Sequence, residues 1–418
     1  MKNIIQILSD FKKRGGFWFF IGSFGNKIIS FLISLLIIRA MSLSEYGNWA
    51  YALTIVSVVF PFKSFGLENS LMRFGSLMDD AKSKYLLYRY SKKQGLIISS
   101  LLAISIILIA PLITKKMPDA YALLVILACW LPSSFLMESK QSYFRLLKTH
   151  KVYSISQITQ GLTVLCLGLL FYKLWGSLAF AVVFTLVPAI IQLLFKTEIS
   201  VDNSPIEWKT VEKKKFFSYG LLTALTMVVS QLVFYLDVFL IENLVPNPDE
   251  QLAIYRTATL IPMNLAFLAI AFVNNDFVHI SEHSDDKNFL LRYLKNYYKL
   301  FSIYALAAVL IFMLPAQYWV KIFGEGYTET GPIFAVLVFA ILGSILFRIP
   351  AGNMLAAIGM VRINTWVSYS AILFNGILSY FLILQYGIIG AAYGTAIILW
   401  STGIFSLVYL LRHIKTKI

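Results

Sequence analysis

The chain has 418 residues, of which 58% are hydrophobic and only 14% charged, against roughly 25% charged in a soluble domain. Its net charge of +15 is carried largely by basic segments beside long apolar stretches, which points to a membrane and excludes a nucleic-acid binder. The two cysteines, Cys129 and Cys166, fall inside apolar stretches with no metal spacing and read as packing residues.

Taken in order, residues 1–14 put Ile4, Ile7, Leu8 and Phe11 on one helical face ahead of Lys12-Lys13-Arg14. This predicts an anchor lying on the inner leaflet and not a cleaved leader. Apolar stretches then predict spans near 17–38, 46–68, 94–114, 119–138, 152–172 and 176–195. A polar linker follows at 196–215, and a second set lies near 216–241, 252–278, 298–316, 331–355, 364–385 and 389–411. The expected architecture is an all-α polytopic membrane protein with about twelve spans. Its parts are a six-helix lobe at 1–195, the linker 196–215, and a second six-helix lobe at 216–418.

The halves share landmarks. Tyr51 and Tyr255 open comparable second helices, which carry Pro61 and Pro262. Pro111 and Pro315 mark the third helices, and Pro132 and Pro350 the fourth. Asp79-Asp80 is answered by Asp285-Asp286, each followed by a basic, aromatic segment (82–93 and 287–299) that reads as an amphipathic helix on the inner leaflet. Leu174-Trp175-Gly176-Ser177 is matched to Ile388-Ile389-Gly390-Ala391 at the sixth helices. An even number of spans per half gives a parallel repeat about a pseudo-two-fold axis along the membrane normal, an arrangement transporters use to enclose a site. With both termini cytoplasmic, about 27 of the 36 Lys and Arg face inward.

Charge inside the spans supplies the candidate site. Lys27, Lys63, Arg348 and Arg256 are the cations, and four of them facing lipid would cost on the order of 10–14 kcal/mol. Lys27 lies roughly 15 Å from the inner end of its helix, beyond the reach of its own side chain. These residues are expected to line a cationic cavity that draws an anion such as a diphosphate. Asp237 reads as the sole acid well inside a span. It is expected either to neutralise a cation or to take a proton or sodium ion that couples transport. Glu68 and Asp276 are placed at inner helix ends. The four histidines, His150, His279, His283 and His413, offer no zinc-protease motif, and no phosphate-binding glycine loop with a Lys and Ser or Thr appears. No resident cofactor, metal site or enzymatic activity is expected.

Residues 26–75 resemble the opening of the polysaccharide repeat-unit flippases, the Wzx-type members of the multidrug/oligosaccharidyl-lipid/polysaccharide (MOP) exporter superfamily. The resemblance rests on Arg39, Glu45-Tyr46-Gly47, Gly66-Leu67 and Arg73-Phe74. Asp237 followed by Tyr255-Arg256-Thr257-Ala258 and Tyr386-Gly387-Ile388-Ile389-Gly390 extend it along the chain. It implies two MATE-like lobes, alternating access, and a cargo of undecaprenyl-diphosphate-linked oligosaccharide. That cargo would move to the outer leaflet of a bacterial inner membrane for O-antigen, capsule or exopolysaccharide synthesis. Membrane lipids, a polysaccharide polymerase and chain-length machinery are the implied partners. Lipid II flippases typically have two further helices, which makes a peptidoglycan precursor the lesser expectation. The alternatives are a cation-coupled multidrug exporter of the same superfamily and, less favoured, a polytopic polymerase or ligase, which would place its chemistry on a large external loop.

Overall fold

The computed structural model describes residues 16–197 and 213–417, so the anchor expected at 1–14 and most of the linker lie outside the described residues. Regular structure among the described residues is entirely helical, as a bilayer demands, because a helix pairs its own backbone polar groups. The chain forms two compact units, Met1–Val228 and Val229–Ile418. Ten helical stretches among the described residues are long and apolar enough to cross a membrane.

The first unit runs α1 (Gly16–Ala40), α2 (Leu43–Val59), α3 (Leu67–Gly75), α4 (Ala81–Ile113), α5 (Ala120–Ala128), α6 (Trp130–Leu146), α7 (His150–Trp175) and α8 (Ser177–Leu194). The division between units falls within α9 (Lys213–Leu244). The second unit continues with α10 (Pro248–Glu282), α11 (Lys287–Ala308), α12 (Ala316–Val320), α13 (Thr330–Gly343), α14 (Ile349–Ala357), α15 (Val361–Tyr386) and α16 (Ile388–Lys417). Of the helices outside the ten, α1 and α9 have 25 and 32 residues, or about 37 and 48 Å at 1.5 Å per residue, and α12 has five.

Several landmarks turn out to be helix-end chemistry. Glu45 closes a capping box: its carboxylate accepts from the Ser42 N–H while Ser42 Oγ accepts from the Glu45 N–H, both at 3.2 Å. Asp80 accepts from the Ser83 N–H at 2.7 Å and Asp286 from the Phe289 N–H at 2.9 Å, so each caps its helix. The basic segments at 82–93 and 287–299 are not separate interfacial helices. They form the first turns of α4 and α11, because neither carries a breaker before the apolar stretch. The repeat register also shifts: Gly176 (φ 81°) matches Gly387 (φ 68°), each ending one long helix in a positive-φ turn before the last helix of its half. Cys129 and Cys166 are exposed, not packed.

The prolines break helices in characteristic ways. Pro61 sits in a 3₁₀ turn, Phe60–Phe62, that separates α2 from α3. Pro315 and Pro350 each follow a π turn, Val309–Met313 and Ser344–Arg348. A proline lacks the N–H that would return to the carbonyl four residues back, and the ladder widens around the gap. The freed Ile311 carbonyl instead accepts from the Trp319 indole at 2.5 Å. Pro262, by contrast, lies inside the continuous α10.

Each unit buries its own core. Leu67, Leu71, Leu87, Tyr88, Tyr143 and Phe216 pack together in the first, with the start of α9 secured by Ser70 Oγ donating to the Phe216 carbonyl at 2.7 Å. Ile280, Leu290, Leu294, Met354, Leu355 and Leu410 pack together in the second.

Candidate functional site

Arg348 is the last residue of the π turn and sits beside a cavity of about 550 Å³ inside the second unit. Its guanidinium donates to Asn364 Oδ1 and, at 3.0 Å, to Ser368 Oγ. Those residues stand one helical turn apart on α15, so a single face offers both acceptors. Gly352 leaves room for the group, since a Cβ there would lie 2.7 Å from Arg348 Nη1. Asn274, Asn353, Ser344 and Thr402 add neutral polar groups, and no acid is among the described residues that line the cavity. The result is a fixed cation with neutral partners in a wall whose described residues include no carboxylate. Such a site favours an anion with several oxygens, because guanidinium N–H groups left without a carboxylate can bond phosphate in pairs.

Lys63 has a different fate. Its ammonium lies 2.7 Å from Glu138 Oε2 and 3.7 Å from Glu68 Oε1, and 3.7 Å above the Phe60 ring. Glu68 also accepts from the Ser64 hydroxyl. One cation against two carboxylates makes this cluster net negative, so Lys63 does not supply the open positive charge expected of it. Glu68, in the first turn of α3, is likewise a partner inside the unit. The backbone turn that delivers Lys63 runs through Phe65 (φ 51°) and Gly66 (φ 70°). Gly66 is required twice over, for its left-handed conformation and because a Cβ would clash with the Gly220 carbonyl on α9.

Asp237 is buried and its contacts are all neutral. Tyr255 Oη donates to Oδ2 at 2.5 Å and Thr395 Oγ1 to the same oxygen at 2.7 Å. Ser379 Oγ and Asn375 Nδ2 approach Oδ1 at 3.2 and 3.4 Å. No ion pair to Asp237 occurs among the described residues, which departs from the expected neutralisation by a buried cation. Nor is it the only acid inside a span. Glu138 lies within α6, inside the candidate span Ala120–Leu146. Arg256 stacks over the Tyr235 ring at 5.6 Å, one residue beyond Tyr255. Lys27 is exposed on α1, in the other unit. The structure therefore brings Arg256 near Asp237, holds Arg348 at its own cavity, and sets Lys63 in an ion-pair cluster.

Sequence reasoning missed Asn364, Ser368, Asn375 and Ser379, yet a signal existed. Asn364, Ser368, Asn375 and Ser379 recur at spacings of four and seven residues along one largely apolar helix, a polar stripe suited to packing against other helices. Glu138 was missed because the predicted fourth span ended there.

The fold is that of the MOP-superfamily transporters. An inward closed lipid II flippase MurJ matches with a TM-score of 0.73 at 18% identity, covering 95% of this chain and 87% of that one. An inward-facing multidrug resistance MATE transporter of the MOP superfamily matches with a TM-score of 0.66 at 16% identity, over 93% of this chain and 100% of that one. The chain itself belongs to the polysaccharide biosynthesis protein family, whose profile matches residues 13–275. In sequence it is 23% identical over 285 residues to the "Putative O-antigen transporter" of Shigella flexneri, a match spanning 66% of each chain.

Proposed function

We propose that the protein is a flippase that carries undecaprenyl-diphosphate-linked oligosaccharide from the inner to the outer leaflet of a bacterial inner membrane by alternating access. The observation that carries this reading is Arg348, a cation with neutral partners at an acid-free cavity within a membrane-spanning unit. Family membership supplies the glycan context, and the diphosphate supplies the anion that such a cation recognises. An exporter of organic cations would need carboxylates where this cavity has none. O-antigen, capsule and exopolysaccharide remain equal destinations for the glycan, with a polymerase and chain-length machinery downstream. Arg256 is proposed as a further contact to the lipid's diphosphate, and Lys27 as a cation that helps to draw the anion in.

Asp237 is proposed as the coupling group. A buried carboxylate without a countercharge is costly, and a proton or sodium ion removes that cost. Its surroundings are oxygen-rich, with Tyr255, Thr395, Ser379 and Asn375 all within reach, which suits a small hard cation. An ion that binds one arrangement of the protein better than the other shifts the balance between them.

Cells lacking the protein should accumulate lipid-linked oligosaccharide accessible only from the cytoplasmic face, and lose surface glycan. Normal outer-leaflet display in such cells would sink the reading. The termini are proposed to be cytoplasmic; cysteine tags at Asn203 and Asn247 should then label from opposite sides, and labelling from one side would overturn that orientation.

A further inference from the structure

The seam between α15 and α16 carries a groove of about 500 Å³ that adjoins the Arg348 cavity. Its walls are Trp366, Val367 and Phe374 from α15 and Phe405 and Tyr409 from α16. Trp366, Phe374 and Phe405 are 70%, 59% and 57% exposed, so the groove is open on the outside of the unit. Helical spacing along α15 sorts the side chains: Asn364, Ser368 and Ala371 line the cavity, while Trp366, Val367 and Phe374 line the groove. Thr402 lines both. Beside it, Gly403 packs against the π turn so closely that a Cβ would lie 3.0 Å from the Arg348 backbone nitrogen. A fixed cation and an apolar trough therefore meet across one residue of α16.

We propose that this groove binds the polyprenyl chain of a lipid whose diphosphate is held at Arg348, with Thr402 at the junction between head and tail. The inference rests on the reading of Arg348 as a diphosphate contact and adds the place where the hydrocarbon lies. Charge complementarity selects the occupant. An amphiphile with an anionic head and a long apolar tail satisfies both surfaces at once, whereas a neutral lipid leaves Arg348 unused and a soluble anion leaves the aromatic groove unused. Flat aromatic rings suit a chain with an isolated double bond and a methyl branch in each five-carbon unit, which packs against their faces over a large area. The Arg362 and Arg412 positions lie one and three residues beyond Ile363 and Tyr409 at the end of the seam, so further positive charge adjoins that end of the groove.

The test uses the full chain in nanodiscs with a diazirine-tagged undecaprenyl diphosphate, and adducts are mapped by mass spectrometry. Labelling is expected at Trp366, Phe374 and Phe405, and it should fall strongly in Arg348→Ala. Trp366→Ala and Phe405→Ala, both at lipid-exposed positions that leave the cores intact, should weaken undecaprenyl diphosphate binding about tenfold and leave binding of inorganic diphosphate unchanged. Saturable, Arg348-dependent binding with adducts elsewhere overturns the groove while the diphosphate reading stands. Groove labelling that is equal for a neutral polyprenol and unaffected by Arg348→Ala marks ordinary bilayer lipid and also overturns it. No saturable binding of the tagged lipid or of inorganic diphosphate removes both readings together.

Discussion

Arg348 and Lys63 are both cations within apolar sequence, each two residues from a proline, Pro350 and Pro61, and the structure treats them in opposite ways. Lys63 is enclosed by Glu68 and Glu138, and the Phe60 ring covers the remaining face. Arg348 has an amide and a hydroxyl for partners and a cavity beside it. The first arrangement spends the charge internally and holds α2, α3 and α6 together; the second leaves the charge for something that arrives. Burial alone does not mark a binding residue in a membrane protein. The charge of the immediate neighbours does.

This contrast breaks most visibly by mutation. Arg348→Ala should abolish surface glycan while leaving protein abundance near wild type, and Arg348→Lys should retain partial activity because attraction survives the loss of paired geometry. Lys63→Ala should do the reverse and lower abundance, because it strands two carboxylates. The cost is about 3 kcal/mol, the low end for breaking a buried pair, since the Glu138 side chain is 40% exposed. Lys63→Met combined with Glu138→Gln should recover most of that abundance. Equal loss of abundance in the Arg348 and Lys63 variants would erase the distinction drawn between them.

A second comparison sets Asp237 against Glu138, an acid with neutral donors against an acid with a lysine. Asp237→Asn keeps a hydrogen-bonding side chain of the same size. Transport in reconstituted vesicles should persist at a reduced rate and lose its dependence on pH or sodium. If the dependence survives unchanged, Asp237 is a structural knot between α9, α10, α15 and α16. Lys27→Ala should have a smaller effect than Arg348→Ala, because an exposed ammonium contributes through a screened field. The glycan level of the two variants on the same blot checks the order.

The smallest expected effect lies at a helix end. The Ser83 N–H beside Asp80 holds its carboxyl below the ordinary aspartate range. Because the folded value is the lower one, the cap stabilises α4 above the unfolded aspartate range and loses that contribution as pH falls through the folded value. Melting of Asp80→Asn in detergent should therefore differ slightly from wild type at neutral pH and converge with it in acid. Divergence in acid would mean that the residue acts by some route other than its cap.

Much of the fold was legible because its signals are local. Length of apolar run, proline, and Asp or Ser before a helix depend on neighbours a few residues away, and these gave helices and caps. The positions of Gly176 and Gly387 needed backbone φ to align, which explains the three-residue slip in matching the sixth helices. The site was half legible. Arg348 and Asp237 announced themselves as charges in apolar sequence, but their meaning lay in Asn364, Ser368 and Thr395, which arrive from other helices. Lys63 misled for the same reason, since Glu138 is 75 residues away in sequence.

The π turn that ends at Arg348 holds one residue more than an α-helical turn, with the Ile349 N–H bonded to the Ser344 carbonyl five residues back. Each residue of an α-helix advances the chain by 100° and about 1.5 Å. Relaxing that turn to ordinary winding would swing the guanidinium around the helix by a quarter-circle or more, out of line with Asn364 and Ser368. Pro350, which cannot supply the missing N–H, acts as the pawl of this small ratchet: it keeps the spare residue wound where the charge is needed.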